Sequence, residues 1–187
     1  MTLLEMKKKV LGLIEELNTE NDNLTEDPDI SAKINYVINQ VMFELARMKK
    51  IPQYVEFSVS EGELINFERI EKESGSEVYQ ISLVEGVEYV YKAQNTVIKA
   101  LESGTMGIDF FKYPERITEK TNANGYEFEL SSDALEIMPY GVAADLLKSD
   151  VSTEYGKIYA ERYESMKMQL DSRYHTGSIC FEGGVDI

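Results

Sequence analysis

Apolar residues recur at three- and four-residue steps from the beginning of the chain: Leu3, Met6, Val10, Leu13, Ile14 and Leu17. That spacing predicts one apolar stripe on an amphipathic helix. The polar run from Asn18 to Asn23 ends it, and Asp27-Pro28-Asp29 opens a second helix. Asp27 is placed to cap that helix and Pro28 to fill its first turn. Its stripe is Ile30, Ile34, Val37, Ile38, Val41, Leu45 and Met48. Lys49-Lys50 suit the negative end of the helix dipole, and Pro52 stops the helix.

From Tyr54 the period changes to two. Tyr54, Glu56, Ser58 and Ser60 alternate with Val55, Phe57 and Val59, the pattern of a half-buried strand. Further strands are predicted over 64–70, 78–84, 87–93, 96–101, 107–113 and 126–130, with 94–101 reading equally as a helical turn. Glu73-Ser74-Gly75-Ser76, Glu85-Gly86, Ser103-Gly104 and Asn122-Ala123-Asn124-Gly125 supply turn chemistry between them. Strands this short and this closely spaced predict a small antiparallel sandwich or barrel. Helical spacing returns at Ser131, with Ser131 or Ser132 as cap and Glu136 near the carboxylate position of a capping box. Leu135, Met138, Val142, Leu146 and Leu147 form its stripe, and Pro139 is expected to bend the helix or split off its first turn. A last helix carries Tyr155, Ile158, Tyr159, Arg162, Tyr163, Met166 and Leu170.

The fold class expected is therefore α+β. Two N-terminal helices (1–52) and two C-terminal helices (131–173) form a four-helix unit, with an antiparallel β-sandwich or barrel (53–130) inserted. Residues 174–187 lack helical periodicity and read as a C-terminal arm. Within it, Ser178-Ile179-Cys180-Phe181-Glu182 resembles a short strand, followed by a Gly183-Gly184 joint.

Charge narrows the function classes. The chain carries −15, with Lys+Arg 19 against Asp+Glu 34. The excess is spread as −2 over 1–52, −8 over 53–130 and −5 over 131–187. Clustered Lys and Arg able to neutralise phosphates are missing, which disfavours tight binding of nucleic acid and of anionic membranes. Solubility is one use of such a charge. A surface that DNA passes without sticking is another. The N-terminal order, apolar residues before Lys7-Lys8-Lys9 with Glu5 among them, is wrong for a secretory signal. One cysteine, Cys180, and one histidine, His175, leave too few soft ligands for a zinc site. Gly104-Thr105-Met106-Gly107 lacks the Lys-Ser/Thr of a phosphate-binding loop, and Asp27-x-Asp29 lacks the remaining ligands of a calcium loop. Acidic pairs such as Glu61/Glu63 and Glu127/Glu129 read as solvent-facing strand ends, and no metal, cofactor or catalytic residue is assigned.

The last third carries a family pattern. Glu127-Phe128-Glu129-Leu130, the capped Ser132-Asp133-Ala134-Leu135, the run Met138-Pro139-Tyr140-Gly141-Val142-Ala143-Ala144-Asp145-Leu146-Leu147 and the Tyr-rich final helix resemble tailed-bacteriophage head-to-tail connector (adaptor, or head-completion) proteins. Asp27-Pro28-Asp29-Ile30 and the stripe ending near Lys49-Lys50-Ile51-Pro52 fit that family's N-terminal helices. The resemblance covers 1–52 and 131–187; the all-β stretch departs from the family's simplest, nearly all-helical members. It implies a structural virion protein at the head–tail junction, assembled in the host cytoplasm. The implied form is a homo-oligomeric ring, typically twelve-fold, that contacts the portal protein and tail or tail-completion proteins. DNA passes through such a ring without specific binding; catalysis, a cofactor and a membrane have no part in it.

Two sets of residues are then candidate interfaces. Met42, Phe43, Tyr140 and Tyr159 lie beside the main helical stripes, and methionine and aromatic residues are enriched at protein–protein contacts. Ile179, Phe181, Val185 and Ile187 of the arm suit strand addition to a partner's sheet edge. The competing class is a carbohydrate- or protein-binding β-sandwich module on a phage particle, using aromatics such as Tyr89, Tyr91 and Tyr113. A small hydrolase is a third class, for which no convergent acid pair is located.

Overall fold

Thr2 and Glu5 fix the start of the first helix: the Thr2 hydroxyl accepts from the Glu5 N–H, and the Glu5 carboxylate accepts from the Thr2 N–H. This capping box stands at the head of α1 (Leu3–Leu13) in the computed structural model, which describes residues 1–21, 24–93, 96–149 and 154–172. α1 ends before Leu17, which is exposed rather than part of the stripe. α2 (Pro28–Met48) begins as the sequence predicts, with the Asp27 carboxylate accepting from the N–H groups of Asp29 and Ile30.

The chain is a mixed α and β protein whose sheets are both antiparallel. β1 (Ile51–Val59) starts almost directly after α2, so Pro52 lies within a strand. It is tolerated there because β1 is the edge of the sheet ordered β1-β6-β3. β3 is Val78–Glu85 and β6 is Gly104–Lys112. The second sheet is ordered β2-β5-β4, from β2 (Leu64–Asn66), β4 (Tyr89–Lys92) and β5 (Val97–Ala100). Both sheets are open; no closed barrel forms among the described residues, which corrects that half of the expectation. Their inner faces share one apolar cluster, with Phe57, Ile65, Ile98, Met106, Ile108 and Phe110 among its members.

Three further expectations are corrected. Residues 64–70 are a strand only as far as Asn66; Phe67–Ser74 forms the helix α3. Asn66 caps it, its side chain accepting from the Arg69 N–H, and Gly75 closes it at φ 70, where a side chain would be strained. Ile70 of α3 is fully buried in the sheet cluster. Residues 126–130 are extended but belong to neither sheet, making only an isolated bridge from Glu127 to Thr2. Their alternation is real, yet Tyr126, Phe128 and Leu130 pack into the helical cluster. Finally, α4 (Ser132–Leu146) runs unbroken through Pro139, which is buried. Its cap residue Ser131 makes no side-chain bond to the helix backbone, and its hydroxyl pairs with the Asp133 carboxylate instead of completing a box with Glu136.

A second apolar cluster draws on α1, α2, α4 and α5 (Tyr155–Ser172) together with the segment after β6. That segment is pinned by Asn39, one of two buried polar residues among those described. Its amide nitrogen donates to the Ile117 carbonyl at 2.7 Å, and its oxygen accepts from the Ile117 N–H at 2.9 Å. Further on, the Tyr126 hydroxyl donates to the Glu115 carbonyl at 2.6 Å. Burial, with the charges of Glu115 and Glu129 beside it, pushes that phenol up to about 12. The Leu3 and Leu4 N–H groups at the head of α1, which no helical carbonyl can reach, donate to Tyr126 and Ala123.

Entry to and exit from the sheets are neighbours, because Ile51 pairs with Lys112 and Gln53 with Phe110. Ile51 belongs to the helical cluster and Phe57 to the sheet cluster, so β1 crosses from one to the other. Replacing residues 54–109 by Asn-Gly, a two-residue hairpin turn, is expected to leave a helical protein by circular dichroism. Removing 54–130 is expected to unfold it. The longer cut also takes Ile117, Tyr126, Phe128 and Leu130, each worth about 1.5–3 kcal/mol against a whole-domain stability of about 5–15 kcal/mol.

Asn39→Ala leaves both backbone groups of Ile117 buried without partners. It is expected to cost about 2–4 kcal/mol in urea unfolding, whereas Gln40→Ala on the exposed neighbour changes stability by less than about 0.5 kcal/mol.

Candidate functional site

The run Met138-Pro139-Tyr140-Gly141 places α5 against α4. A Cβ at Gly141 would lie 2.9 Å from the Tyr163 ring, so the glycine lets the two helices approach to aromatic contact. Tyr163 is buried, and its hydroxyl donates to the Glu44 carboxylate of α2 at 3.0 Å. Lys167 completes the junction, 2.7 Å from Glu44 and 2.5 Å from Glu164. Burial and the carboxylates of Glu44, Glu164 and Asp145 push the Tyr163 phenol well above its ordinary range, so it stays a neutral donor. For Lys167 burial works the other way, and the bonds to Glu164 and Glu44 outweigh it, holding the ammonium above its usual value. α5 is therefore fixed to α2 and α4 along its second half.

Its first half presents a different face. Tyr155 and Ile158, which the periodicity assigns to the core stripe, are 53% and 50% exposed. Tyr155 stacks on Tyr159 with ring centroids 6.4 Å apart, and Tyr159 lies 6.2 Å from Tyr140. The Arg162 guanidinium sits 4.2 Å from the Tyr140 ring centroid. The Tyr159 hydroxyl donates to the Leu13 carbonyl at 2.6 Å, tying this ladder to the end of α1. Beside it a groove of about 560 Å³ is lined by Leu13, Ile14, Ile30 and Leu147 and by the charged Glu15, Glu16, Asp27, Asp29 and Lys33.

Of the four helical interface candidates, Tyr140 and Tyr159 thus lie together on this face, both half-buried. Met42 is corrected: it is fully buried, its sulfur 3.4 Å from the Tyr126 hydroxyl oxygen, and it presents nothing to a partner. α2 packs both on α4 and on the returning segment, and so buries a wider stripe than one neighbour requires. Phe43 is half-buried elsewhere, between Tyr113 at 5.3 Å and the Arg116 guanidinium at 4.8 Å. The arm residues Ile179, Phe181, Val185 and Ile187, like His175 and Cys180, lie outside the described residues.

The aromatics of the competing binding-module class divide. Tyr89 and Tyr91 meet edge to face at 5.3 Å on β4, with Tyr91 40% exposed. Tyr113 is half-buried, packed between Phe43 and Tyr79. No group of three or more potential metal ligands occurs among the described residues, and none of their helices is long and apolar enough to cross a membrane. Tyr155, Ile158 and Arg162 are the members of the site that periodicity misplaced, because stripe spacing does not tell a face covered by the chain from one left open.

Gly141→Ala is expected to cost about 1–3 kcal/mol through overpacking against Tyr163, read as a lowered urea midpoint. Gly141→Ala combined with Tyr163→Leu, which vacates the ring, is expected to destabilise by less than the sum of the two single changes.

Comparison with models of known protein families and with curated protein sequences finds no match to this chain.

Proposed function

We propose that this chain is a structural subunit of a tailed-bacteriophage particle, a head-to-tail connector that acts by contact and not by catalysis. The observation that carries the reading is the open first half of α5. Tyr155 and Ile158 continue the stripe that Tyr163 and Leu170 bury further along the same helix, yet stand half exposed beside the Tyr140–Tyr159–Arg162 ladder. Tyrosine and arginine next to an apolar residue are the composition of interface hot spots.

On this reading α1, α2, α4 and α5 act as one four-helix unit, and the two sheets with α3 act as a sandwich inserted through the β1–β6 stem. Copies stand in a ring, twelve-fold as is typical of the family the sequence resembles. The portal protein lies on one side of the ring and tail or tail-completion proteins on the other, at the head–tail junction of the virion. The net charge of −15 supports a conduit that DNA crosses without adhering.

Cryo-microscopy of particles is expected to show density for this chain at the head–tail junction; particles with none there overturn the reading. Ile158→Glu is expected to leave the urea midpoint of the isolated chain within about 0.5 kcal/mol of the parent, since the side chain is half exposed, while preventing incorporation into particles. Normal incorporation of that variant rejects the α5 face as the contact.

A further inference from the structure

One end of α2 gathers cations in an otherwise acidic protein. Arg47 near its C-terminus and Arg116 on the returning segment flank a groove of about 430 Å³, lined also by Tyr36, Asn39, Gln40, Phe43 and Glu44. Both arginines are exposed, and among the described residues neither lies within ion-pair distance of a carboxylate. Each is held by a ring instead, Arg116 over Phe43 at 4.8 Å and Arg47 over Tyr113 at 5.9 Å. The one carboxylate of the groove, Glu44, is already engaged by Lys167 and Tyr163. Tyr36 is 64% exposed. Aromatic stacking pre-orients these guanidinium groups and leaves their N–H donors for an incoming acid.

The other end of α2 has the opposite character. From Val10 to Ala32 the chain has seven acidic residues and no Lys or Arg. Of these, Glu15, Glu16 and Asp29 are exposed and, with Asp27, line the groove beside α5, where Lys33 is the one cation against four carboxylates. At a rise of 1.5 Å per residue, Asp29 and Arg47 stand about 27 Å apart along a continuous helix. That is more than three screening lengths at physiological salt, about 8 Å each. The two patches therefore cannot meet within one copy.

We infer that the Arg47–Arg116 groove is a docking site for the acidic α1–α2 corner of a second copy of this chain. Charge complementarity selects the occupant: the corner supplies exposed carboxylates that stand in none of the ion pairs among the described residues, and the arginines supply the donors they lack. Because the complementary patches lie at opposite ends of α2, each copy that gives its acidic corner to one neighbour keeps its arginine groove for another. Such a head-to-tail contact closes into a ring when the rotation permits. The inference rests on the proposed assembly role only in that closure; the pairing itself follows from the two patches.

Sedimentation of the full chain in 0.15 M NaCl tests it. The parent is expected to self-associate in a concentration-dependent way, with the affinity falling at least about tenfold in 1 M NaCl. Arg47→Glu with Arg116→Glu, and separately Glu15→Lys with Glu16→Lys and Asp29→Lys, are each expected to weaken association by about tenfold or more. Mixing the two variants is expected to restore it to within about threefold, because their reversed patches complement each other. Circular dichroism and urea midpoints establish that each variant is folded. If a multiple variant is not, the single pair Arg116→Glu and Glu16→Lys carries the same comparison. A parent that stays monomeric at about 1 mM, reversed variants that associate like the parent, or folded variants that fail to restore association on mixing each overturn the pairing. Association that follows the predicted charge pattern in a protein missing from the head–tail junction upholds the pairing and overturns only the assembly role.

Discussion

The paired hydrogen bonds between Asn39 and the backbone of Ile117 decide where the chain rejoins the helices after the sheets. A side-chain amide in the middle of α2 meets one backbone N–H and one C=O in the way a neighbouring strand would, inside an apolar cluster where neither group has access to water. Leaving them unpaired there would cost more than the bonds gain, so this register is specified far more sharply than apolar packing alone specifies one. Everything downstream inherits it. With Ile117 fixed, Arg116 comes to rest over Phe43, one turn beyond Asn39 on α2. The chain then lies along the head of α1, where Tyr126, Phe128 and Leu130 fill the cluster and the Tyr126 and Ala123 carbonyls take up helix N–H groups.

The sheets hang from this helical cluster by a narrow stem. β1 and β6 are paired along their whole length, so the chain enters and leaves the sheets side by side. Side chains rather than backbone continue the contact across the junction. Phe43, Tyr113 and Tyr79 form a chain of tilted rings at 5.3 and 5.2 Å, Lys50 donates to Gln80 at 3.0 Å, and Lys112 pairs with Glu129. The stem thus joins two packed clusters without merging their interiors.

Most of this fold was legible in periodicity, and what was not has identifiable causes. α1 and α2 announce themselves by stripe and cap, and the strands around β3 and β6 by alternation. The α3 helix was hidden because its eight residues offer too few apolar positions to separate a period of two from one of 3.6. Its signals were instead Asn66 as cap, the Arg69–Glu73 ion pair one turn apart and Gly75 at the end. Residues 126–130 show that alternation reports an extended backbone with one buried side, and not a sheet. Met42 shows the reverse ambiguity: an apolar residue beside the main stripe reads as surplus until a second neighbour, here the segment after β6, is known to cover it. The Arg47–Arg116 groove was illegible for a simpler reason. Its two cations are remote in sequence, and only the Asn39 clamp makes them neighbours.

The distribution of charge bears on the proposed contacts. At physiological salt the repulsion between spread carboxylates reaches only about 8 Å, so it opposes the last step of approach and not the long-range encounter. Short-range contacts such as stacked arginines and a half-exposed Ile158 act only inside that distance. The apolar exposure around the first half of α5 is limited, Tyr155 and Ile158 being half covered while Tyr159 and Tyr140 of α4 are covered further. A larger open patch would favour indiscriminate association; under the proposed role, a half-covered one flanked by arginine makes orientation, and not mere hydrophobicity, the condition for contact.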